Sequence, residues 1–307
     1  MQKDIDIIIY GATGFTGKLC VKYFQSLDTT VTWAIAGRNL AKLKKVSKDN
    51  QTKVEILIAD SDDESALDIL TSRSRVILSA AGPFHRYGSK LVASCIKNHA
   101  HYVDITGENF WVKGLIKKHH AEASAKGIRI IPSCGFDSIP SDLGTFFSAQ
   151  AIGKPIKRIE SFHSYKGGAS GGTLETMFSM GELDLGDDLT DPFLLNPENS
   201  YSNEQKQLSS DKVGIARKPE ISAWSGPFIM ATANTRVVRR TEALLALRQE
   251  SYGADFTYQE HAYHKSWFSA VKSLLLTGLS VLVLLSPLKR LVKPFLPKPG
   301  EGPSESI

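Results

Sequence analysis

At 307 residues, with 42% apolar and 22% charged side chains, the chain has the composition of a globular protein large enough for two domains. A net charge of +5, from 37 basic against 32 acidic residues, is too mild to argue for nucleic acid. Cys20, Cys95 and Cys134 form no CxxC pair, which fits a reducing compartment better than a disulfide framework, and Asp4 and Asp6 interrupt the N-terminus where a signal peptide would be apolar.

Ile5 to Tyr10 is a short β-branched run, as expected of a strand buried on both faces. Gly11, Gly14 and Gly17 follow at three-residue spacing, and helical character resumes from Lys18 to Gln25. Strand, glycine turn and helix together suit phosphate binding. Glycine lets the backbone approach a pyrophosphate, and the free N–H groups and dipole of the next helix face the anion. The spacing GxxGxxG is not the fingerprint GxGxxG, so it marks a nucleotide-binding βαβ unit rather than one cofactor. Gly11, Thr13, Gly14, Phe15, Thr16 and Gly17 are the predicted pyrophosphate residues.

The second strand, Thr32 to Ala36, ends in Gly37, Arg38 and Asn39. A carboxylate here would suit the ribose 2′-hydroxyl of NAD, whereas a guanidinium suits the 2′-phosphate of NADP. Arg38 therefore points to NADP(H), with Asn39 and Lys42 beside it. Val54 to Ala59 is a third strand, ending in Asp60 near the expected adenine position, and Arg75 to Ala80 a fourth. The fourth runs into Ala81, Gly82 and Pro83, which should lie along the cofactor at the carboxyl edge of the sheet. Leu91 to Asn98 is a helix, Tyr102 to Ile105 a fifth strand, and Ile128 to Ile131 a sixth after a helix capped by Gly127. Six strands alternating with helices predict an α/β fold with a doubly wound parallel Rossmann sheet.

After the sixth strand, Ser133 to Asp142 reads SCGFDSIPSD. Asp137 and Ser138 either line a substrate pocket or cap a tight turn, with Ser141 or Asp142 capping the helix that follows. Tyr87 is a candidate proton donor or a packed wall with a wet tip, and Glu108 is a further polar candidate. Cys134 has no paired histidine, and hydride transfer needs no covalent intermediate. The eight histidines make no metal-site pattern.

From about residue 151 the βα alternation stops. Ile159 to Tyr165 reads as a strand, and Lys166 to Leu183 as a glycine-rich loop entering a helix at Thr173. That loop either offers free N–H groups to a pocket or is a plain connection. Asp187 to Lys218 is polar and predicted irregular, Ser222 to Val238 apolar enough for strands or a strand–helix junction, and Arg236, Arg239, Arg240 and Arg248 give a local basic excess. This part is read as a smaller α+β substrate domain that also carries dimer contacts. Ser273 to Leu288 has no charge, is halted by Pro287, follows Trp267 and Phe268, and precedes Lys289, Arg290, Lys293 and Lys298. It is an apolar C-terminal helix, either a core helix at an interface or, as favoured here, a shallow insertion into a membrane or lipid-droplet surface. The expected division is 1–150, 151–265 and 266–307.

Six segments together resemble the saccharopine dehydrogenase-like oxidoreductases, which include the mycobacterial trans-acting enoyl reductases. They are YGATGFTG (Tyr10–Gly17), AGRN (Ala36–Asn39), AAGPF (Ala80–Phe84) followed by Tyr87–Gly88, HYVDITGE (His101–Glu108), CGFDSIPSDLG (Cys134–Gly144) and PKPGEGPSE (Pro297–Glu305). The resemblance implies an NADP(H) site, a second α+β domain, membrane or lipid-droplet association on the cytosolic side, and a role in lipid, including glycolipid, metabolism. Relatives usually run on well past the PGEGPSE segment, so the second domain is expected to be incomplete at Ile307. The expected function is an NADPH-dependent reductase with a lipid or lipid-linked substrate. The alternatives are a non-catalytic nucleotide-binding scaffold on membranes and a soluble saccharopine-type dehydrogenase, whose amino-acid pocket would use Arg158 and Lys166.

Overall fold

The computed structural model describes residues 3–164, 167–286 and 288–304. Tyr165, Lys166, Pro287, Glu305 and Ile307, used above, lie outside the described residues. The first half alternates β1 (Ile5–Tyr10), α1 (Phe15–Ser26), β2 (Trp33–Gly37), α2 (Leu40–Asp49), β3 (Glu55–Ile58), α3 (Glu64–Arg73) and β4 (Ser74–Ser79). A single turn α4 (Phe84–Tyr87) then leads to α5 (Ser89–Lys97), β5 (His101–Asp104), α6 (Asn109–Ala125), β6 (Ile130–Ile131) and α7 (Ile139–Ile152). The strands form one parallel sheet in the order β3-β2-β1-β4-β5-β6. Its order reverses between β1 and β4, and doubly wound sheets open a crevice for ligands at that point.

β1 is apolar on both faces because both are covered. Ile8 and Tyr10 pack with Leu67, Leu91 and Trp111 from one helical layer. Ile9, on the opposite face, packs with Val21 of α1 and Leu43 and Val46 of α2. These periodicities made the strands readable: the bounds of β1 are as expected, and those of the other strands of this sheet differ by at most two residues.

The second half carries β7 (Arg158–His163), α8 (Gly171–Met180), α9 (Asn203–Leu208), β8 (Ala216–Lys218), β9 (Ala223–Gly226), α10 (Ala231–Ala246), β10 (Thr257–His264), α11 (Trp267–Leu285) and α12 (Lys289–Val292). Its sheet runs β7-β10-β9-β8, with β7 parallel and β9 antiparallel to β10. Three local expectations change. α8 begins at Gly171, two residues before the expected Thr173, and is capped by the Ser170 side chain, which accepts from the Thr173 amide at 3.3 Å. α7 begins at Ile139, with Ser138 at its cap position and no side-chain cap bond, so Ser141 and Asp142 sit in its first turn. The stretch Asp187 to Lys218, expected to be irregular, contains α9 and β8, whereas Ser222 to Val238 is the strand–helix junction that was one of its two readings.

The arginines of α10 are not a surface patch. Arg236 and Arg239 are buried. Arg236 donates to both Asp211 oxygens, at 2.5 and 2.8 Å, and Arg239 to the carbonyls of Pro192 and Tyr258, both at 2.8 Å. Together with Arg240, which donates to the Leu195 carbonyl, they fasten the polar stretch after α8 to the second sheet. Paired burial of this kind is what makes a guanidinium tolerable inside a fold.

Candidate functional site

The carboxyl ends of β1, β2 and β4 open on one cleft of about 420 Å³. Gly11 turns the chain out of β1 at φ +78°, and a Cβ there would meet the Ala81 amide nitrogen at 2.8 Å. Thr13 to Thr16 line the cleft, and Phe15 and Thr16 belong to the first turn of α1, whose N–H groups lack partners within the helix. Gly17 is not in the wall. A Cβ on it would run into the Gly11 carbonyl, so this glycine lets the helix close onto the turn.

Arg38 lines the cleft at the end of β2 and makes no ion pair or hydrogen bond among the described residues, so its guanidinium is available to an anion. Asn39 does not line it; its side chain caps α2, accepting from the Lys42 amide at 2.9 Å. Asp60 also turns away, accepting from the Asp62 amide at 3.1 Å, and Ser61 takes its place in the wall. Ala81, Gly82 and Phe84 line the cleft; Pro83 does not, and follows a cis peptide.

HYVDITGE explains itself in structure. Asp104 Oδ1 accepts from the amides of Thr106, at 2.9 Å, and Ser133, at 3.0 Å. Thr106 Oγ1 accepts from the Glu108 amide at 3.0 Å. The fully buried Glu108 carboxylate lies at the cleft and accepts from the amides of Phe84, at 2.8 Å, and His85, at 2.7 Å, with His85 Nδ1 at 2.6 Å. Glu108 thus fixes the AAGPF segment on which a nicotinamide would rest.

Of the candidate catalytic residues, Tyr87 and Asp137 line the cleft. Desolvation raises the Asp137 carboxyl above its ordinary range. Ser138 does not join them. It is buried, and its hydroxyl donates to Asn234 Oδ1 at 2.9 Å. Asn234 Nδ2 donates in turn to the Asp137 carbonyl, at 2.7 Å, and to Glu260, at 3.0 Å. Ser138 therefore ties the turn to the second sheet. Burial, with Asp104 and Asp142 nearby, pushes the Cys134 thiol up to about 11, which removes the thiolate a nucleophile needs.

The glycine-rich loop and helix after residue 166 do reach the cleft, through Ser170, Gly172, Thr173, Thr176, Met177 and Met180, and the remaining wall comes from residues that sequence reasoning missed: Ile229 and Met230 before α10, and Pro299 and Gly300 near the C-terminus. Met230 lies beside Gly107 and Thr176 beside Gly82. Every methionine other than Met1 is in this cleft. The glycine turn, the free arginine and the backbone close to it fit a dinucleotide with a 2′-phosphate.

Residues 7–131 match the family model of the saccharopine dehydrogenase NADP-binding domain, and NADP(H) is the cofactor of this domain. A protein named as a trans-acting enoyl reductase in Mycobacterium tuberculosis is 34% identical over 98% of this chain and 77% of its own length. The trans-acting enoyl reductase of Mycobacterium leprae is 33% identical over 99% of this chain and 78% of its own. Among solved structures, apo saccharopine dehydrogenase (L-Glu forming) from Saccharomyces cerevisiae overlays 52% of this chain and 34% of that one, with a TM-score of 0.44 and 19% identity. The chain belongs to the saccharopine dehydrogenase-like oxidoreductases, the family that includes these trans-acting enoyl reductases.

Proposed function

We propose that the protein is an NADPH-dependent reductase of an α,β-unsaturated acyl group carried on a lipid or lipid-linked substrate. The observation that carries this reading is the division of labour within one cleft. The glycine turn and Arg38 serve a phosphorylated dinucleotide, while Met177, Met180, Met230, Ile105 and Ile229 make an apolar wall. Unbranched thioether side chains adapt to a flexible chain and exclude water without offering it hydrogen bonds. The names of the relatives support an enoyl substrate.

When bound, the cofactor supplies a hydride. The chain's own residues do the rest. The Gly11–Thr16 turn and the first N–H groups of α1 hold the diphosphate, and Arg38 holds the 2′-phosphate. Glu108 sets the backbone from Ala81 to Phe84. Tyr87 and Asp137 line the cleft, and the Tyr87 phenol is the proposed proton donor to the carbon that becomes a carbanion.

We assign the substrate to a lipid surface. Leu275, Leu276, Leu279 and Leu282 of α11, all more than half exposed, recur at helical spacing. Lys289, Arg290 and Lys293 follow them, and no acidic residue occurs between Lys265 and Glu301. Among the described residues no helix is long and apolar enough to cross a membrane, so the reading is shallow insertion.

The test is NADPH oxidation by the purified chain with unsaturated acyl thioesters of increasing length, free and in anionic vesicles. The reading predicts turnover that rises with chain length, and co-flotation of the protein with vesicles that is lost in L276K/L279K. Binding of NADPH with no turnover of any unsaturated acyl substrate would favour a nucleotide-binding scaffold instead.

A further inference from the structure

We propose that the turn Lys298–Glu301 is part of the cofactor site, with the Gly300 N–H donating to the diphosphate from beside the glycine turn. The proposal rests on the NADP(H) reading and extends it to residues far beyond the matched domain, which ends at residue 131.

The sequence KPGE builds the turn. The Glu301 amide donates to the Lys298 carbonyl at 2.9 Å. Proline stands at the second position and Gly300, at φ +94°, at the third, which is the type II pattern. The Glu301 carboxylate accepts from the Lys298 amide at 2.9 Å, which holds the acidic side chain on its own turn.

Contacts to α1 and to α8 then hold the turn beside the glycine turn. Lys18 Nζ, in α1, donates to the Gly300 carbonyl at 2.9 Å. The Gly171 amide donates to the Glu301 carbonyl at 2.9 Å. Gly302 lies on the Phe15 ring so closely that a Cβ would overlap it, and a Cβ on Gly171 would overlap the Lys298 carbonyl. Glycine at 171 is what this close approach of two backbones requires, and glycine at 302 leaves room for the Phe15 ring.

Pro299 and Gly300 consequently line the same cleft as Gly11 to Thr16. The Gly300 N–H has no acceptor among the described residues. An N–H of a left-handed turn residue, set against a helix N-terminus, adds to an anion-binding concavity. The structure thus assigns the diphosphate two walls, the Gly11–Thr16 turn and the Lys298–Glu301 turn.

The probes are NADPH and adenosine 2′-monophosphate, which carries the 2′-phosphate and no diphosphate. Both are titrated against the full chain and its Gly300→Val variant, because valine strains the left-handed position and tilts the N–H away. The expected result is an NADPH Kd weakened about tenfold, the worth of one charge-assisted hydrogen bond, with adenosine 2′-monophosphate binding unchanged. In the wild-type chain, hydrogen exchange at Gly300 should slow when NADPH is added and not when adenosine 2′-monophosphate is. Equal weakening of both ligands would show a merely structural turn and overturn the proposal. Unchanged or tighter NADPH binding would overturn it as well, the latter marking the turn as an obstruction. A wild-type chain that binds no NADPH would sink the cofactor reading itself, and this proposal with it.

Discussion

Asp142 occupies the first turn of α7, largely buried, with the Thr241 hydroxyl donating to it at 3.0 Å. Burial pushes its carboxyl up to about 6. The folded chain therefore keeps a proton that the unfolded chain releases at about 3.9. The neutral acid favours the fold fully below about pH 4, and this contribution is lost as the pH rises through about 6. Asp142→Asn stays neutral throughout, so its unfolding free energy relative to wild type should rise across that window, by up to about 3 kcal/mol. Urea unfolding of both proteins at a series of pH values checks this, and a constant difference would refute it. Asp104, also raised to about 6 by burial, follows the same sign. At this scale the sequence was only partly legible. Arg38 could be placed because a strand end in a doubly wound sheet fixes where the next residues emerge. Ser138 and Asp60 could not, because a short polar side chain in a turn has two directions, and Asn234 or a nearby amide chose between them.

Glu108 and the AAGPF segment show how an element is held in place. One carboxylate takes two backbone N–H groups and faces a histidine nitrogen, so its acceptor capacity is spent on residues 84 and 85. Glu108→Gln keeps the shape and turns an amide N–H₂ toward one of those donors. An unmet buried donor costs about 1–3 kcal/mol, and the variant should lose about that much stability. It should also bind NADPH more weakly, because the backbone beneath the cofactor loosens. Thermal or urea unfolding together with a ligand titration measures both, and a variant with wild-type stability would contradict the role. The strands and the glycine turn were readable from sequence because two-sided burial demands apolar runs and phosphate demands glycine. The methionine wall was not. Its residues come from α8 and from the segment before α10, and no local period joins them. KPGE was visible as a turn in principle, but only long-range packing decides that it points at residues 13 to 18.

Across the whole molecule residues 298–302 are brought back onto residues 11–18. The first βα unit supplies the glycine turn, the last described residues lie over it, and α8 stands between them. Ion pairs continue this line. Lys293 meets Glu175 of α8 at 3.0 Å, and Glu175 lies 3.5 Å from Arg86 beside the AAGPF segment. The apolar helix α11 leads directly into this region, so a surface that seats α11 also seats the chain that walls the cofactor cleft. All of this organisation presupposes a cofactor chosen by the Arg38 guanidinium. The measurement that tests it most directly is titration of the purified chain with NADPH and NADH, with Arg38→Ala in parallel. The account predicts that wild type prefers NADPH, and that Arg38→Ala weakens NADPH about 10- to 100-fold, as losing about 1.5–3 kcal/mol of charged hydrogen bonding requires, with NADH little changed. Equal affinity of wild type for the two nucleotides, or an Arg38→Ala variant that keeps the preference, would contradict it.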